Sequence, residues 1–452
     1  MKTTPGIAPY PAQPGSRSES LGTLFAGVFG LLLGVGLLKF GNPIVLDHLV
    51  ELPKSFDEWR IFAWPVKVGQ GLALLVALVG AAFVFSSPDR SARAPRSLIA
   101  LLLGWLAWQG AASVASIDPD ASRQILAHFT GITACFLLGH WALSRVSEPR
   151  VFWLCLVFGF LAVLTIAFDQ HFGGLEATRK MILDRPESAK LPPEYLARIR
   201  SNRVFGSLVY PNALAGAVLL LSPLTSILTW NWGRRHGLIG ARLAAGTTTL
   251  ASVSVLVWSG SKAGWLIAMA VVLLLLFHSA ISRKYQISIA ALFVVAGLLG
   301  FVTIFREKLA QGPRSAAARM DYWSAAWTGF AERPVLGQGP GAFKKVYARV
   351  KRPESEMAQL AHNDYLQQAT DSGVPGFLAY SGFVAGALGL LYRRRARTPP
   401  ADRSPLVTAT GLGLLAWFSH GLVEFGLYIP ATSWCAFALL GWALAQARPS
   451  NT

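Results

Sequence analysis

Residues 151–168 read VFWLCLVFGFLAVLTIAF, a run of eighteen residues without a charged side chain. Such a run is a candidate membrane-spanning helix, because a helix of about twenty apolar residues crosses the hydrocarbon core of a bilayer. Comparable runs recur on both sides of it, for example at residues 97–115 and 207–229. The repeated runs predict an all-α integral membrane protein with many spans.

The composition excludes an ordinary soluble protein. Of the 452 residues, 53% are hydrophobic and only 14% are charged, whereas about 25% are charged in a typical soluble domain. The net charge of +18 fits both basic cytoplasmic loops and attraction to an anionic ligand or lipid headgroup. Nucleic acid is not an expected partner, because the basic residues are scattered between apolar runs. The three cysteines lie inside such runs and are predicted to be small core residues.

About twelve spans are predicted, which places both termini on the same side of the membrane. Their approximate bounds are 21–40, 68–86, 97–115, 124–144, 151–170, 207–229, 238–258, 262–280, 286–305, 373–392, 405–425 and 428–446. Residues 1–20 are predicted to form a flexible cytoplasmic tail, and residues 21–446 a polytopic membrane domain.

The short loops between these runs indicate the orientation. The loops after the second, fourth, sixth, eighth and tenth spans contain arginine, whereas those after the first and third carry acidic residues such as Glu51 and Asp118. Because Lys and Arg are enriched in cytoplasmic loops, the arginine-rich loops are assigned to the cytoplasm.

Two longer connections, at about 171–206 and 306–372, then fall outside the cytoplasm. Both are basic, and long loops tolerate such charge. A basic surface beside the bilayer suits a lipid-linked phosphate, since Arg binds phosphate oxygens through two parallel hydrogen bonds. The second connection is expected to be partly helical, because residues 316–330 carry Met320, Trp323, Ala326, Trp327 and Phe330 at helical spacing. That helix either lies on the membrane surface or over a cavity, or simply packs against the bundle.

Three polar patterns lie in or beside these outer loops. Residues 203–215 read RVFGSLVYPNALA, residues 319–323 read RMDYW ahead of GQGPG at 337–341, and residues 361–367 read AHNDYLQ ahead of GVPG at 373–376. Helix capping accounts for several of these residues individually. The glycine-rich turn is not a phosphate-binding P-loop, because it lacks a preceding strand and a following Lys-Ser or Lys-Thr. An imidazole at the membrane rim, such as that of His362, has a pKa near neutrality and is able to accept a proton from a sugar hydroxyl.

In their order and setting, these patterns resemble the O-antigen ligase and O-antigen polymerase superfamily of membrane glycosyltransferases. The resemblance runs from about Arg203 to Tyr380. It implies the fold of C-type glycosyltransferases and transfer of a glycan from undecaprenyl diphosphate to an acceptor hydroxyl. It also implies a multi-pass protein of the bacterial inner membrane whose active site faces the periplasm, with no cofactor and no metal site.

Carried over to this chain, the resemblance implies roles for individual residues. Arg203 and Arg319 would bind the diphosphate and absorb the charge of the leaving group, and His362 would be the base or positioning group for the acceptor hydroxyl. The family usually has Ser-Arg where this chain has Ser261-Lys262, and Lys keeps the charge without the planar guanidinium. The residues predicted to bind substrate are Asn363, Lys262, Asn212, Tyr365 and Gly339.

Further polar residues lie in or near the apolar runs. His420 and Glu424 are four residues apart and are predicted to share a helix face that lines the same cavity as His362, or to hydrogen-bond a neighbouring helix. His128 and His140 lie inside apolar runs and are either functional residues or hydrogen-bond a neighbouring helix. Asp118 and Asp120 are interpreted as solvated turn residues, not as metal ligands.

The expected partners are an undecaprenyl-diphosphate-linked glycan, an acceptor that is either a lipid A core or a growing glycan, and membrane lipids. Ligase, polymerase and protein-glycosylating activities remain open. Two other classes also remain: a flippase for lipid-linked oligosaccharides, and a non-enzymatic scaffold. A transporter usually shows repeated halves and charge at the membrane midplane, whereas the polar groups here cluster at one face.

Overall fold

The protein is helical throughout the residues that its computed structural model describes, which are 17–87, 95–184, 191, 196, 200, 202–279, 281–310, 314–353 and 355–446. The α-helices are α1 Arg17–Lys39, α2 Phe56–Ile61, α3 Val66–Ser86, α4 Arg96–Val114, α5 Pro119–Leu137, α6 Arg150–Asp169, α7 Leu175–Leu183, α8 Pro211–Gly233, α9 Gly237–Trp258, α10 Lys262–Phe277, α11 Arg283–Ala310, α12 Arg314–Glu332, α13 Phe343–Val350, α14 Asp364–Arg397, α15 Pro405–His420 and α16 Pro430–Gln446. The helices α5 and α6 continue through short π-helical turns, Leu138–Ala142 and Gln170–Gly174.

Eight helical segments of the described chain are long and apolar enough to cross a membrane. They are Ser18–Lys39, Val66–Ser86, Arg96–Val114, Pro119–Arg145, Arg150–Ala177, Pro211–Trp258, Arg283–Thr303 and Asp364–Arg397, and Lys262–Phe277 is a shorter apolar helix. Pro211–Trp258 comprises α8 and α9, which form an antiparallel pair in which Ser226 and Thr249 share a hydrogen bond of 2.9 Å between their hydroxyls. Each of the twelve predicted apolar runs lies wholly or mainly on a helix, while the count of twelve crossings stays a prediction.

The arginine-rich segments meet at one end of the bundle. Arg145 donates from Nη1 to the carbonyl oxygen of Val84 near the end of α3, at 3.1 Å. Arg394 donates from Nη1 to the carbonyl oxygen of Leu444 near the end of α16, at 2.7 Å. We call this the arginine-rich end. The loop that follows α3 lies outside the described residues at 88–94, as do residues 1–16 of the predicted tail.

The opposite end gathers the loops predicted to be extracytoplasmic. Ser122, in the first turn of α5, donates to the carbonyl oxygen of Pro340 at 2.7 Å. The amide of Ile117 donates to the carbonyl oxygen of Gln338 at 3.0 Å. The glycine-rich turn therefore lies against the start of α5. We call this the site end.

The core surrounds α16, which is buried along residues 430–445. Gly139 and Gly441 allow the closest packing there, since a Cβ on Gly139 would lie 2.1 Å from the carbonyl oxygen of Ala438 and one on Gly441 would lie 2.1 Å from that of Phe136. Small residues at such contacts let the backbones of membrane helices approach closely. Cys135 and Cys435 are buried in this core, and Cys155 is half-buried.

Several predicted bounds were wrong, for local reasons. The predicted span 373–392 begins nine residues earlier in the structure, because Asn363 caps α14 ahead of a break at Ser372 and Gly373. The predicted span 405–425 ends at His420, so that Glu424 lies in the following turn. The first long loop contains α7, and its residues 185–190, 192–195, 197–199 and 201 lie outside the described residues.

The helix expected near residues 316–330 is present as α12, and its apolar residues divide between an exposed face and a buried face. Met320 and Trp327 are exposed, at 62% and 61% of the residue surface, whereas Tyr322, Ala325 and Ala326 are buried. The buried face packs against α14, where the hydroxyl of Thr370 donates to the carbonyl oxygen of Ala326 at 2.9 Å. The spacing indicated a helix, but the apolar side chains of Met320 and Trp327 do not mark the face that is buried.

Candidate active site at the rim of the bundle

His362 lies directly before α14 in a constrained conformation. Its φ of 51° is in the left-handed region, which non-glycine residues adopt rarely. The imidazole stacks on Tyr322 with ring centroids 5.5 Å apart, and its edge meets the ring of Phe425 at 4.6 Å. Two aromatic neighbours thus fix the ring plane, and the Nδ1 edge faces Glu424.

Glu424 lies in the turn after α15 and joins residues from distant parts of the chain. Its Oε2 lies 3.2 Å from Nδ1 of His362. Its Oε1 accepts hydrogen bonds from Nη2 of Arg319 and, at 2.5 Å, from Nδ2 of Asn212. The side chain is only 6% exposed, so each partner is needed to compensate the burial of a charge.

Arg203 extends this network to the segment that follows α9. Its Nη2 donates to Oδ1 of Asn212 at 2.6 Å, and its Nε donates to the carbonyl oxygen of Ser259 at 2.7 Å. We call Arg203, Asn212, Arg319, His362 and Glu424 the Glu424 network. The three polar patterns found in the sequence therefore converge on one carboxylate at the site end.

The network carries more positive than negative charge. It contains two guanidinium groups and one carboxylate, and Asn212 is neutral. Burial alone would raise the pKa of Glu424, but the hydrogen bond from His362 and the charges of His362 and Arg319 hold this pKa below its ordinary value. Glu424 is therefore ionised at neutral pH, and the excess positive charge suits an anionic ligand.

A second, fully buried polar cluster holds the loops around the site in place. Asp371 on α14 accepts hydrogen bonds from the hydroxyl of Tyr428 and from Nε2 of Gln367, each at 2.8 Å. Its other contact is the backbone amide of Gly341, at 3.2 Å. The carboxylate thus ties the glycine-rich turn and the 426–428 turn to the helix that follows His362.

The other residues predicted to bind substrate have structural partners. The side chain of Asn363 caps α14 by accepting from the amides of Tyr365 and Leu366, at 3.0 and 2.9 Å. The hydroxyl of Tyr365 donates to the carbonyl oxygen of Phe418 inside the bundle, at 3.1 Å. Gly339 has a φ of 104°, and a Cβ on it would lie 2.0 Å from Oγ of Ser116. None of these contacts joins Tyr365 or Gly339 to the Glu424 network.

Lys262 begins α10, three residues after the carbonyl group that binds Arg203. It is half-buried and makes no hydrogen bond or ion pair with the residues that the structure describes. It therefore adds a cation near Arg203 without being part of the network.

The sequence analysis gave Glu424 a smaller role than the structure does. It did not identify Tyr322, which stacks on His362, or Ser259, which accepts a hydrogen bond from Arg203. Glu424 and His420 were expected to share a helix face and to line a cavity with His362. The two do line a small cavity together with Asn212 and Gly216, but Glu424 lies beyond the end of the helix and contacts His362 directly. The usable signal was a carboxylate at the edge of an apolar run, which is costly unless it has partners. Ser259 acts through its backbone carbonyl group, which no side-chain pattern reveals.

The remaining polar predictions have local explanations. Nε2 of His128 contacts the carbonyl oxygen of Leu427 at 2.9 Å, and Nδ1 of His140 contacts that of Gly441 at 3.2 Å. Asp118 caps α5 and lies 3.3 Å from Nζ of Lys345. Within the described ranges, no three His, Cys, Asp or Glu residues cluster as a metal-ligand set would.

Comparison with known proteins agrees with the resemblance seen in the sequence. Residues 247–381 match the family model described as O-antigen ligase (Wzy_C). The matched range contains Lys262, Arg319 and His362, while Arg203 and Glu424 lie outside it. A search of curated proteins gave no match. The predicted resemblance is thereby confirmed: the chain is a helical membrane protein that carries an O-antigen ligase domain over residues 247–381.

Proposed function

We propose that the chain is a glycosyltransferase that moves a glycan from undecaprenyl diphosphate to an acceptor hydroxyl. The observation that carries this proposal is the Glu424 network, which joins Arg203, Arg319 and His362 at one end of the bundle. Two guanidinium groups beside a histidine–carboxylate pair provide the two functions that the reaction needs, a site for the leaving diphosphate and a base for the acceptor.

The reaction breaks the bond between the anomeric carbon and the diphosphate oxygen and forms a bond to the acceptor oxygen. The electron pair of the broken bond stays with the lipid diphosphate, whose charge Arg203 and Arg319 neutralise. The acceptor proton passes to Nε2 of His362. Glu424 fixes the tautomer by holding the proton on Nδ1, and its negative charge stabilises the imidazolium that forms.

The scheme requires no metal, because the two guanidinium groups neutralise the leaving group. A flippase fits less well, since it would need ionic groups near the membrane midplane, whereas this ionic network lies at the rim. Metal independence and transfer are both open to direct measurement.

We further propose twelve crossings, with the arginine-rich end in the cytoplasm and the site end in the periplasm of a bacterial inner membrane. The antiparallel α8–α9 pair and the helices α10, α15 and α16 supply the crossings beyond the long single helices. Residues 1–20 would then form a cytoplasmic tail, and the loops near 171–206 and 306–372 would lie outside. This orientation places the network at the leaflet where a periplasmic acceptor is reached.

The identity of the acceptor distinguishes two activities found in the same superfamily. A lipid A core acceptor makes the chain a ligase in lipopolysaccharide synthesis, and a growing glycan makes it a polymerase. We propose the ligase, in line with the description of the matched family. Both acceptors belong in the test.

The test is transfer in liposomes that contain the purified full chain, undecaprenyl-diphosphate oligosaccharide, either acceptor and a chelator. We expect turnover with the native chain and its loss in His362→Ala, Arg203→Ala and Arg319→Ala. Arg349→Ala is the matched control, because Arg349 is an exposed residue of the same outer loop whose ion pair within the described residues is with Glu332. Absence of turnover with both acceptors, together with transport of the lipid-linked glycan across the bilayer, would refute the glycosyltransferase proposal and support a flippase.

A further inference from the structure

A groove of about 400 Å³ lies on the bundle surface between α10, α14 and α15. This volume is within the range of ligand-binding pockets in proteins, which is roughly 300–1,000 Å³. Its walls are mainly leucine side chains, including those of Leu274, Leu388 and Leu412. The lining chemistry therefore suits a hydrocarbon chain.

The groove is remote from the Glu424 network. Leu388 lies 15 positions after Gly373, where α14 is broken near the site, which corresponds to roughly 22 Å at about 1.5 Å per residue. Arg395, which lines the groove, directly follows Arg394, whose guanidinium contacts the carbonyl oxygen of Leu444 at the arginine-rich end. The groove thus opens toward the end of the bundle opposite the site.

The polar groups of the groove are gathered near this end. They are His278 at the end of α10, Tyr392 and Arg395 on α14, and Thr408 in the first turn of α15. Arg395 is half-buried and makes no hydrogen bond or ion pair with the described residues. A guanidinium that has no carboxylate partner among the described residues, next to an apolar channel and the positive end of a helix, favours an anionic headgroup.

We propose that this groove binds one anionic phospholipid of the leaflet at the arginine-rich end. An acyl chain lies between α10, α14 and α15, and the phosphate lies against Arg395. This site is independent of the transfer reaction, because it depends only on the groove and on the membrane location of the bundle.

Two glycines in the groove allow it to be filled without disturbing the protein. A Cβ on Gly389 or Gly411 would meet no atom within 4 Å. The variant Gly411→Leu therefore places a bulky side chain in the lipid position, and Leu also favours the helix more than Gly does. Gly71→Leu on α3 is the matched control, because Gly71 likewise has open space around its Cβ but lies outside the groove.

The experiment is native mass spectrometry of the purified full chain, titrated with phosphatidylglycerol or with phosphatidylethanolamine of the same acyl chains. We expect tighter binding of phosphatidylglycerol, an affinity about fivefold lower in Arg395→Gln, and loss of the bound lipid in Gly411→Leu. Arg393→Gln, which removes an exposed charge outside the groove, and Gly71→Leu should both bind as the native chain does.

Equal affinity for the two lipids would overturn the proposal, and so would equal effects of Arg393→Gln and Arg395→Gln. Undiminished lipid binding by Gly411→Leu would also overturn it. Because lipid binding is measured without any glycan donor, a failed transfer assay leaves these outcomes unchanged.

Discussion

At the residue scale, the carboxylate of Glu424 organises the site. It contacts Arg319, Asn212 and His362 with its two oxygens while being nearly inaccessible to solvent. A buried ion that loses its partners is strongly destabilising, so these contacts depend on one another. The residue that unites the network is therefore one that is proposed to touch neither donor nor acceptor.

We expect Glu424→Gln to lower the rate of glycan transfer by about 100-fold or more. The amide keeps the size of the side chain but loses the negative charge that stabilises protonated His362 and fixes its tautomer. The rate should be measured under saturating donor, with folding checked by size-exclusion chromatography. Glu148→Gln, which removes an exposed carboxylate that pairs with Arg150, should transfer at the native rate; a folded Glu424→Gln protein with the native rate would refute this role.

The lowered pKa of Glu424 predicts how stability depends on pH. A carboxyl group whose pKa is lower in the folded state stabilises the protein above its unfolded pKa, and this stabilisation is lost as pH falls through the folded pKa. The thermal stability of the native chain should therefore exceed that of Glu424→Gln at pH 7, and the difference should shrink as pH falls below the ordinary carboxyl value of 4.5. Melting curves of both proteins from pH 7 to pH 3 would measure this, and a constant difference would contradict it.

At the element scale, α14 begins next to the site and has a break in its backbone. Ser372 and Gly373 leave the helical conformation, and a Cβ on Gly373 would lie 2.2 Å from the carbonyl oxygen of Val335. The short helical segment before this break bears Asp371, which holds the glycine-rich turn and the 426–428 turn. The break thus separates a loop-binding segment from the long segment that extends to the arginine-rich end.

The capping role of Asn363 can be separated from a role in sugar binding. We expect Asn363→Ala to destabilise the protein by about 1 kcal/mol, since it removes the acceptor for two backbone amides. Asn363→Asp should keep both stability and transfer, because its carboxylate accepts the same two hydrogen bonds. Chemical denaturation and the transfer assay measure the two effects, and loss of transfer by a stable Asn363→Asp protein would show that the amide contacts the sugar.

At the whole-molecule scale, the bundle has two chemically distinct ends. Arg145 and Arg394 mark one end, and the Glu424 network with the 337–341 turn marks the other. Helices proposed to cross the membrane join the ends, so the assignment of one end to a compartment fixes the other.

The proposed orientation predicts which residues react with an impermeant thiol reagent in intact cells. Lys344→Cys, at the site end, should be labelled from outside, whereas Arg235→Cys and Arg397→Cys should be labelled only after permeabilisation. All three residues are exposed, while Cys135 and Cys435 are buried and Cys155 is half-buried, so background labelling should be low. Labelling of Arg397→Cys in intact cells would show that the protein has the opposite orientation in the membrane.

The sequence predicted features that depend on local composition, and the structure supplied those that depend on distant contacts. Apolar runs located the helices, because length and hydropathy are properties of a single segment. Arg203, Arg319 and His362 were identified as candidates because each lies in a local pattern, and their roles stay predictions. The sequence did not identify Glu424 as the centre of the site, since its partner Asn212 is 212 positions away. The contacts of Tyr365 and Gly339 are internal, and their assignment to substrate binding stays a prediction, because the sequence alone does not separate a structural role from a binding role.

Glu424 acts as an internal counterion to Arg319. If the proposed diphosphate binds Nη2 of Arg319, the atom that contacts Glu424, it displaces the carboxylate, which keeps its contacts with His362 and Asn212. Donor binding would in this way strengthen the pairing of Glu424 with His362 and increase the basicity of the imidazole. The kinetic consequence is an ordered mechanism in which donor binds before acceptor, and we expect product-inhibition patterns to show this order for the native chain; random addition of the two substrates would exclude the coupling.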